Sequence, residues 1–576
     1  MATTAEKPWL AFYDEGVPHT VDIPPIPLHA VLERSASEFP THTAIKMPLR
    51  YLPLGLRIQA ALTYRDLMRE VDRFAAGLQK LGVQKGDRVA VMLPNTPQFV
   101  IAFFGALKAG AIVVNTNPTY TAHELEHQLK DSGAETIVML SPFYERLQAV
   151  REHVPTDKVI ITDIAEYIGG IFKGLTEKTL RKEKLMVDVP EGNGVYHWNT
   201  FMNLGTQPEP VQVNPEDVAL FQYTGGTTGV PKAAMLTHRN LVANAIQVAS
   251  WIPTVKRGQA KVMGALPFFH VYGMTVALLF GIYTGGTVIL LPNPRPIDVV
   301  MKAIHEERCD IFPGVPTMYT AIVNHPDVQK YDLRSVEACI SGAMALPVEI
   351  QKKFEEITGG RLVEGYGLTE ASPVTHSNPI YGKRKAGSIG LPFPSTDARI
   401  VDLNTGEPLP VGEVGELCVK GPQVMKGYWN RPEETKIALD EEGWLHTGDI
   451  ARMDEEGYFY IVDRKKDIII ASGYNIIPRE VEEVLYKHPK VLEAVVAGVP
   501  DPYRGETVKA YIVLKEGEQA TEEEIIEFCR QYLAPYKVPK LVEFRSELPK
   551  SQVGKLLRRV LVEEERRKLA EQQKTS

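Results

Sequence analysis

Along the first 390 residues, apolar positions follow two alternating rhythms. Leu67, Val71, Phe74, Leu78 and Leu81 share one helical face and predict an amphipathic helix. After the turn Lys85-Gly86-Asp87, the run RVAVML at 88–93 predicts a buried strand. PQFVIAFFGALKAG then reads as a buried helix and AIVVNTN as the next strand. The runs AETIVML, KVIIT, GTVILLP and CDIFPG repeat the short apolar unit. Such alternation predicts α/β layers built on parallel sheets.

Beyond about residue 388 the texture changes to short strands with Gly, Pro and Asn turns, as in ARIVDLNTGEPLPVGEVGELCVKG and EEGYFYIVD. This predicts a small β-rich, barrel-like subdomain over about 388–463. The charged DRKKD follows, and then a compact α+β pattern: helix PREVEEVLYKHP, strands VLEAVVAGV and TVKAYIVLK, helix TEEEIIEFCRQYL. The expected organisation is a large N-terminal α/β domain, 1–463, and a small C-terminal α+β domain, 464–576, with a boundary at 463–467. The final LVEEERRKLAEQQKTS reads as a solvated helix end that frays.

Residues 262–294 contain no Asp, Glu, Lys or Arg, a length that could span a bilayer. His270, Gly273, Gly281 and Thr284-Gly285-Gly286 interrupt it, so the reading is a buried helix near 274–283, a turn, and a strand at 287–291. The remaining composition, 44% hydrophobic and 24% charged over 576 residues, is that of a multidomain globular protein. A net charge of −8 argues against a general nucleic-acid binder. Cys309, Cys339, Cys418 and Cys529 form no Cys-x-x-Cys pair, so neither a zinc site nor a disulfide framework is suggested, and a cytoplasmic setting is expected. The first residues, MATTAEKPWLAFYDEG, lack an apolar core of signal-peptide length.

Four stretches carry candidate chemistry. FQYTGGTTGVPKAA, 221–234, has the Gly, Thr and Lys of a phosphate loop, yet no register fits G-x-x-x-x-G-K-[ST]. It follows the strand DVALFQY and precedes the helix after THRN, which Thr237 would cap. A strand, a glycine-rich turn and a helix make an anion cradle, although the same residues also suit an ordinary flexible turn. LVEGYGLTEASPV, 362–374, sets Tyr366 between glycines, where its face could meet a base, and supplies Thr369 and Glu370 as hard oxygen ligands for magnesium. A glycine-rich turn around a buried Tyr is the alternative. In GWLHTGDIARMDEEGYFYIVDRKKD, 443–467, Asp449 and Arg464 could hold ribose hydroxyls or form a surface salt bridge. LPKSQVGKLLRR, 548–559, presents Lys555 from a glycine turn, where solvated charge is the ordinary role of a lysine.

The order YTGGTTGVPK, EGYGLTE, HTGD, DRKKDIIIASGYN, PKSQVGK resembles the adenylate-forming superfamily of acyl-CoA synthetases, luciferases and peptide-synthetase adenylation domains. TNPTYTAHELEHQLKD, PFFHVYG, KGPQVMKGYWNRPEET and DRKKDIIIASGYNIIPREVEEVL look most like bacterial long-chain fatty-acid–CoA ligases. The resemblance implies a fatty acid, ATP and CoA as substrates and Mg2+ as cofactor. It implies that Thr224, Gly225, Gly226, Thr227, Thr228, Gly229 and Lys232 hold the β- and γ-phosphates, with Thr224 and Glu370 on the metal. Tyr366 would stack on adenine, with Gly342, Ala343, Glu364, Gly365, Gly367 and Thr369 around it, and Asp449 and Arg464 would fix the ribose. Lys555 would bridge the carboxylate and α-phosphate, and His270 would position the acyl group. Gly473 would border the pantetheine path, and Lys466 would sit at the hinge of a mobile C-terminal domain.

The chain departs from many relatives in carrying glycine at both 225 and 226, and Ala233 where Gly is commoner. Met274 stands near the place of a tryptophan gate, so control of chain length is open; core packing is the simpler role for it. A basic stretch, AEYIGGIFKGLTEKTLRKEK at 165–184, offers Tyr167, Ile168, Ile171, Phe172 and Leu175 beside five basic and two acidic residues over 173–184. It suits either a solvated loop-helix or peripheral contact with the inner face of a membrane. A homodimer fits the resemblance. A medium-chain or aryl acid ligase, a luciferase-like oxidation, and a non-catalytic nucleotide- or acyl-binding protein remain alternatives.

Overall fold

The computed structural model describes residues 7–53, 56–224, 231–403, 405–464, 467, 469–471, 474–501, 505–550 and 556–575. The chain folds into two compact units. Trp9–Asp397 with Lys420–Leu445 form the larger; Ala398–Val419 and His446–Ser576, with the N-terminal residues to Pro8, form the smaller.

The larger unit is organised around an eight-stranded sheet. Its order is Gly427–Tyr428, Lys232–Thr237, Val218–Thr224, Ile112–Asn115, Arg88–Met92, Thr136–Leu140, Lys158–Thr162 and Val195–His197. From Val218–Thr224 onward all neighbours are parallel, as the strand–helix alternation predicts. The helix Pro97–Lys108 is buried from Pro97 to Leu107, and Thr96 caps it. Its Gly105 lets Phe74 of the amphipathic helix Tyr64–Lys80 approach: a Cβ there would lie 2.7 Å from that ring. Pro97–Lys108 is apolar all round because it is buried almost throughout, whereas Tyr64–Lys80 buries only part of its surface and keeps polar residues on the rest.

Two four-stranded sheets complete this unit. One orders Lys261–Gly264, Thr287–Leu290, Thr43–Tyr51 and Arg57–Thr63; the other orders Ala338–Ser341, Arg361–Gly367, Val374–Ser377 and Leu391–Pro392. The run CDIFPG is not a full strand. Ile311 makes single bridges to Val262 and Ala338, because Pro313 has no N–H to extend the ladder. Between its strands, the uncharged segment 262–294 holds a buried helical stretch, Met274–Leu279 wound as a π-helix and Phe280–Thr284 as an α-helix, ended by Gly285 at φ 70°. Among the described residues no helix is long and apolar enough to cross a membrane. Within 165–184, Tyr167 and Ile168 turn inward, Tyr167 donating to Glu70. The helix Ile171–Lys182 exposes Ile171 (87%) and Leu175 (57%).

In the smaller unit, Asp397–Val401, Gly415–Lys420, Leu445–Met453 and Phe459–Arg464 form one sheet. A second sheet is built around the antiparallel pair Val491–Asp501 and Gly505–Leu514, covered by the helices Pro478–Tyr486 and Glu522–Arg530 through Val481, Leu485, Ile525 and Cys529. The expectation of a fraying end is corrected over the first half of the last helix, Arg558–Thr575. Leu561 is fully buried against Val495 and Tyr511, and Glu564 and Glu565 pair with Arg545 (2.6 Å) and Lys509 (2.9 Å).

Candidate functional site

The glycine-rich loop joins two strands, not a strand and a helix. Val218–Thr224 and Lys232–Thr237 pair antiparallel, with Gln222 opposite Ala234, Tyr223 opposite Ala233 and Thr224 opposite Lys232. This corrects the expected cradle: the helix His238–Trp251 begins one strand later, capped by Thr237 in a capping box with Asn240. The run after Pro231 pairs on both edges, because Gly427–Tyr428 adds to its other side. Ala233, Ala234 and Leu236 are fully buried there, so tertiary pairing holds the segment extended. Thr224 and Lys232 therefore flank the mouth of a hairpin, the Thr224 hydroxyl 3.4 Å from the Lys232 carbonyl. Gly225, Gly226, Thr227, Thr228 and Gly229 lie outside the described residues.

Glu370 stands in the short turn Thr369–Ala371, just after the strand Arg361–Gly367. Its carbonyl accepts the Met425 N–H at 2.8 Å, and its carboxylate accepts the Tyr428 hydroxyl at 2.7 Å. Tyr428 sits opposite Ala234 in the sheet. Its ring lies 5.1 Å from the Lys232 ammonium, a cation–π distance. One side chain thus contacts both the expected phosphate cation and the expected metal carboxylate. Burial, and then the charge of Glu370, push the Tyr428 hydroxyl far above its ordinary range, so it stays a donor. Sequence reasoning missed this residue, although it lies within KGPQVMKGYWNRPEET.

The residues expected around the base come together on one sheet. Gly342 and Ala343 follow Ala338–Ser341, and Glu364 to Gly367 end the parallel neighbour Arg361–Gly367. Gly342 packs on Tyr272, where a Cβ would come within 2.8 Å of the ring, and Ala343 adopts φ 70°. Glu364 is buried, and its carboxylate accepts the Leu346 N–H at 3.3 Å. Gly365 and Gly367 serve close packing: added Cβ atoms would meet Ile340 at 2.7 Å and the Pro373 carbonyl at 2.1 Å. Tyr366, partly exposed, meets His376 edge-on at 5.9 Å. Burial pushes His376 down to about 3, so it is neutral.

His270 precedes the turn Val271–Gly273, its ring 4.7 Å from that of Phe269. Its apolar surroundings push it down to about 4, which leaves the imidazole uncharged near neutral pH. Buried amides unforeseen from the sequence hold this segment. Asn95 accepts from Phe268 N–H (2.8 Å) and donates to Leu266 O (2.8 Å); Gln222 donates to Phe269 O (2.9 Å) and accepts from Asn115 (2.9 Å). Met274 is fully buried, its sulfur 3.5 Å from the Asn115 amide, in keeping with core packing.

In the smaller unit Asp449 and Arg464 are directly opposed on neighbouring strands. Asp449 is 9% exposed, and its N–H donates to the Thr447 hydroxyl at 3.1 Å. The side chain of Arg464, and the whole of Lys466, Gly473 and Lys555, lie outside the described residues. The carboxylate of Glu370 and the hydroxyl of Thr224 are a hard-oxygen donor set, which fits magnesium on phosphates. The arrangement can grip an anion at the hairpin and hold a flat ring beside Tyr366.

The AMP-binding enzyme family matches residues 32–429, and the AMP-binding enzyme C-terminal domain matches 480–555. A long-chain-fatty-acid–CoA ligase of Bacillus subtilis (strain 168) is 51% identical over 567 residues, 97% of this chain and 98% of that protein. One of Haemophilus influenzae is 40% identical over 569 residues, 97% of this chain and 99% of that protein. Among solved structures, the anthranilate CoA ligase AuaEII in complex with anthranoyl-AMP has a TM-score of 0.81 at 26% identity, covering 96% of this chain and 99% of that one. A long-chain-fatty-acid-CoA ligase (FadD1) from Archaeoglobus fulgidus has a TM-score of 0.66 at 29% identity, covering 92% and 99%.

Proposed function

This chain belongs to the AMP-binding enzyme family, and we propose from that premise that it is a long-chain fatty-acid–CoA ligase. A carboxylate is a poor acyl donor because its charge repels nucleophiles. In the first step a carboxylate oxygen attacks the α-phosphorus of ATP, the bond to the β-phosphate oxygen breaks, and pyrophosphate leaves. In the second the CoA thiol, giving up its proton, attacks the acyl carbon and AMP departs.

The observation that carries the reading is the contact of one residue, Tyr428, with both Lys232 and Glu370. A cation and a metal carboxylate gathered beside a glycine-rich hairpin suit the grip of a leaving pyrophosphate. A P-loop site for attack at the γ-phosphate would instead carry a Walker loop opening a helix. Lys232 and the residues of 225–230 take the β- and γ-phosphates. Mg2+, held by Thr224 and Glu370, neutralises phosphate charge when bound. Tyr366, Gly342, Ala343 and Glu364 take the base, and Asp449 and Arg464 the ribose. Lys555 supplies the cation where two anions must meet. His270, being neutral, positions the acyl carbonyl without repelling a cation. Gly473 keeps the thiol path open, and a hinge at 463–467, with Lys466, lets the lysine withdraw before thiol attack. Peripheral contact through 165–184 is supported by exposed Ile171 and Leu175 beside Lys173, Lys178 and Arg181.

The test is acid-dependent ATP–pyrophosphate exchange, followed by CoA-dependent AMP release across acids of increasing length. Release should peak with long chains. A peak at short or aromatic acids would favour another ligase of the same superfamily. Failure of every acid to support exchange would indicate a non-catalytic binder.

A further inference from the structure

We propose that Glu416, Cys418 and His446 form a binding site for a borderline-soft divalent cation of the Zn2+ class. The Cys418 Sγ lies 3.3 Å from His446 Nδ1, and that nitrogen lies 3.2 Å from Glu416 Oε2. All three donor atoms fall within 4.8 Å of one another. A tetrahedral zinc, with bonds of about 2.3 Å to sulfur and about 2.0–2.1 Å to nitrogen and oxygen, sets donor–donor edges of about 3.3–3.6 Å. The cluster is already close to that size.

Glu416 and Cys418 are two apart on the strand Gly415–Lys420, so they share a face; His446 comes from the strand Leu445–Met453. No Cys-x-x-Cys spacing marks such a site, which is why the sequence suggested no zinc. One thiolate, one imidazole and one carboxylate favour zinc or cadmium over magnesium, and three protein donors leave a fourth position for water. The carboxylate is oriented from behind, since Glu416 Oε1 accepts the Gly448 N–H at 3.1 Å and leaves Oε2 for the cluster. The Thr447 hydroxyl donates to the Leu417 carbonyl at 2.7 Å, fastening the two strands beside it.

Binding balances as follows. The Cys418 S–H bond breaks and a metal–sulfur bond forms. The neutral His446 ring binds as the tautomer with its proton on Nε2, so that Nδ1 donates its lone pair, and the thiol proton passes to solvent for each metal bound. The cation would thereby tie the segment bearing Asp449 to the neighbouring strand.

The test titrates the purified full chain, stripped of metal, with Cd2+, reading the ultraviolet thiolate-to-metal absorption. Zn2+ competition against a chromophoric chelator runs in parallel. One equivalent should bind with release of one proton in weak buffer. Cys418→Ser should lose the absorption, and His446→Gln and Glu416→Gln should each weaken binding at least about tenfold, since outer-shell changes alone cost about 10–100-fold. If Cys418→Ser fails to fold, the two other variants and the proton count still decide. Absence of the band in the wild-type chain, its survival in Cys418→Ser, or unchanged affinity in both His446→Gln and Glu416→Gln would each overturn the site.

Discussion

Tyr428→Phe separates the two contacts of one ring. The variant deletes the 2.7 Å hydrogen bond to Glu370 but keeps the face that lies 5.1 Å from the Lys232 ammonium. A hydrogen bond to a charged carboxylate contributes about 1.5–3 kcal/mol. Tyr428 is only part-buried, so the lower part of that range applies, about 1.5–2 kcal/mol. At about 1.4 kcal/mol per decade this is roughly a ten- to thirtyfold loss. The expected cause is a Glu370 carboxylate that must be reoriented before it can hold the metal. The assay is acid-dependent ATP–pyrophosphate exchange over a Mg2+ series, with circular dichroism as the folding control. The Phe variant should need more Mg2+ for half-maximal exchange, and excess Mg2+ should restore part of the rate. Tyr428→Ala should lose a further two- to fivefold, the worth of a cation–π contact of about 0.5–1 kcal/mol. A Phe variant equal to wild type in rate and Mg2+ dependence would refute the positioning role, and equal losses in Phe and Ala would refute the cation–π part.

Lys555→Ala should abolish adenylate formation, by at least about a hundredfold, yet leave thioester formation from supplied acyl-AMP largely intact; equal loss of both half-reactions would remove Lys555 from the first step. Stability should fall with acid below about pH 6.5. His238 and His376 are buried and held down to about 3, so the unfolded chain takes up protons that the folded chain refuses. Each contributes about 1.4 kcal/mol per pH unit across that window. His238 also accepts the Leu28 N–H at Nδ1, so His238→Asn, read by melting temperature against pH, should flatten the slope. Gly367→Ala should destabilise by about 1–3 kcal/mol, because its Cβ would meet the Pro373 carbonyl at 2.1 Å. Gly174→Ala, in a helix with open space around it, should instead raise the melting temperature. Replacing Ile171 and Leu175 together by Ser should reduce flotation with anionic liposomes; unchanged flotation would count against membrane contact through this helix.

Local signals were legible and long-range partners were not. Thr237 announces its capping role in its own next three residues, and the apolar runs announce the parallel strands. Ala-Ala-Met-Leu after Lys232 favours helix in isolation, and only pairing with 218–224 and 427–428 makes it a strand. Tyr428 meets Glu370 across 58 positions, and His446 meets Glu416 across 30, distances over which no periodicity speaks. The last helix looked solvated because its acidic residues pair with Lys509 and Arg545, supplied by a different part of the chain. Asp449 and Arg464 stand out together within one stretch, but that they sit directly opposite one another emerges only once the strands pair.

The eight-stranded sheet ends in a two-residue strand on one side, Gly427–Tyr428, and a three-residue strand on the other, Val195–His197. A long bare margin of unpaired N–H and C=O groups would be a template on which another chain could add a strand. Margins this short offer few consecutive groups, so a large, strongly apolar sheet carries little invitation to aggregate. The strand that bears Tyr428 therefore also guards the sheet against self-association.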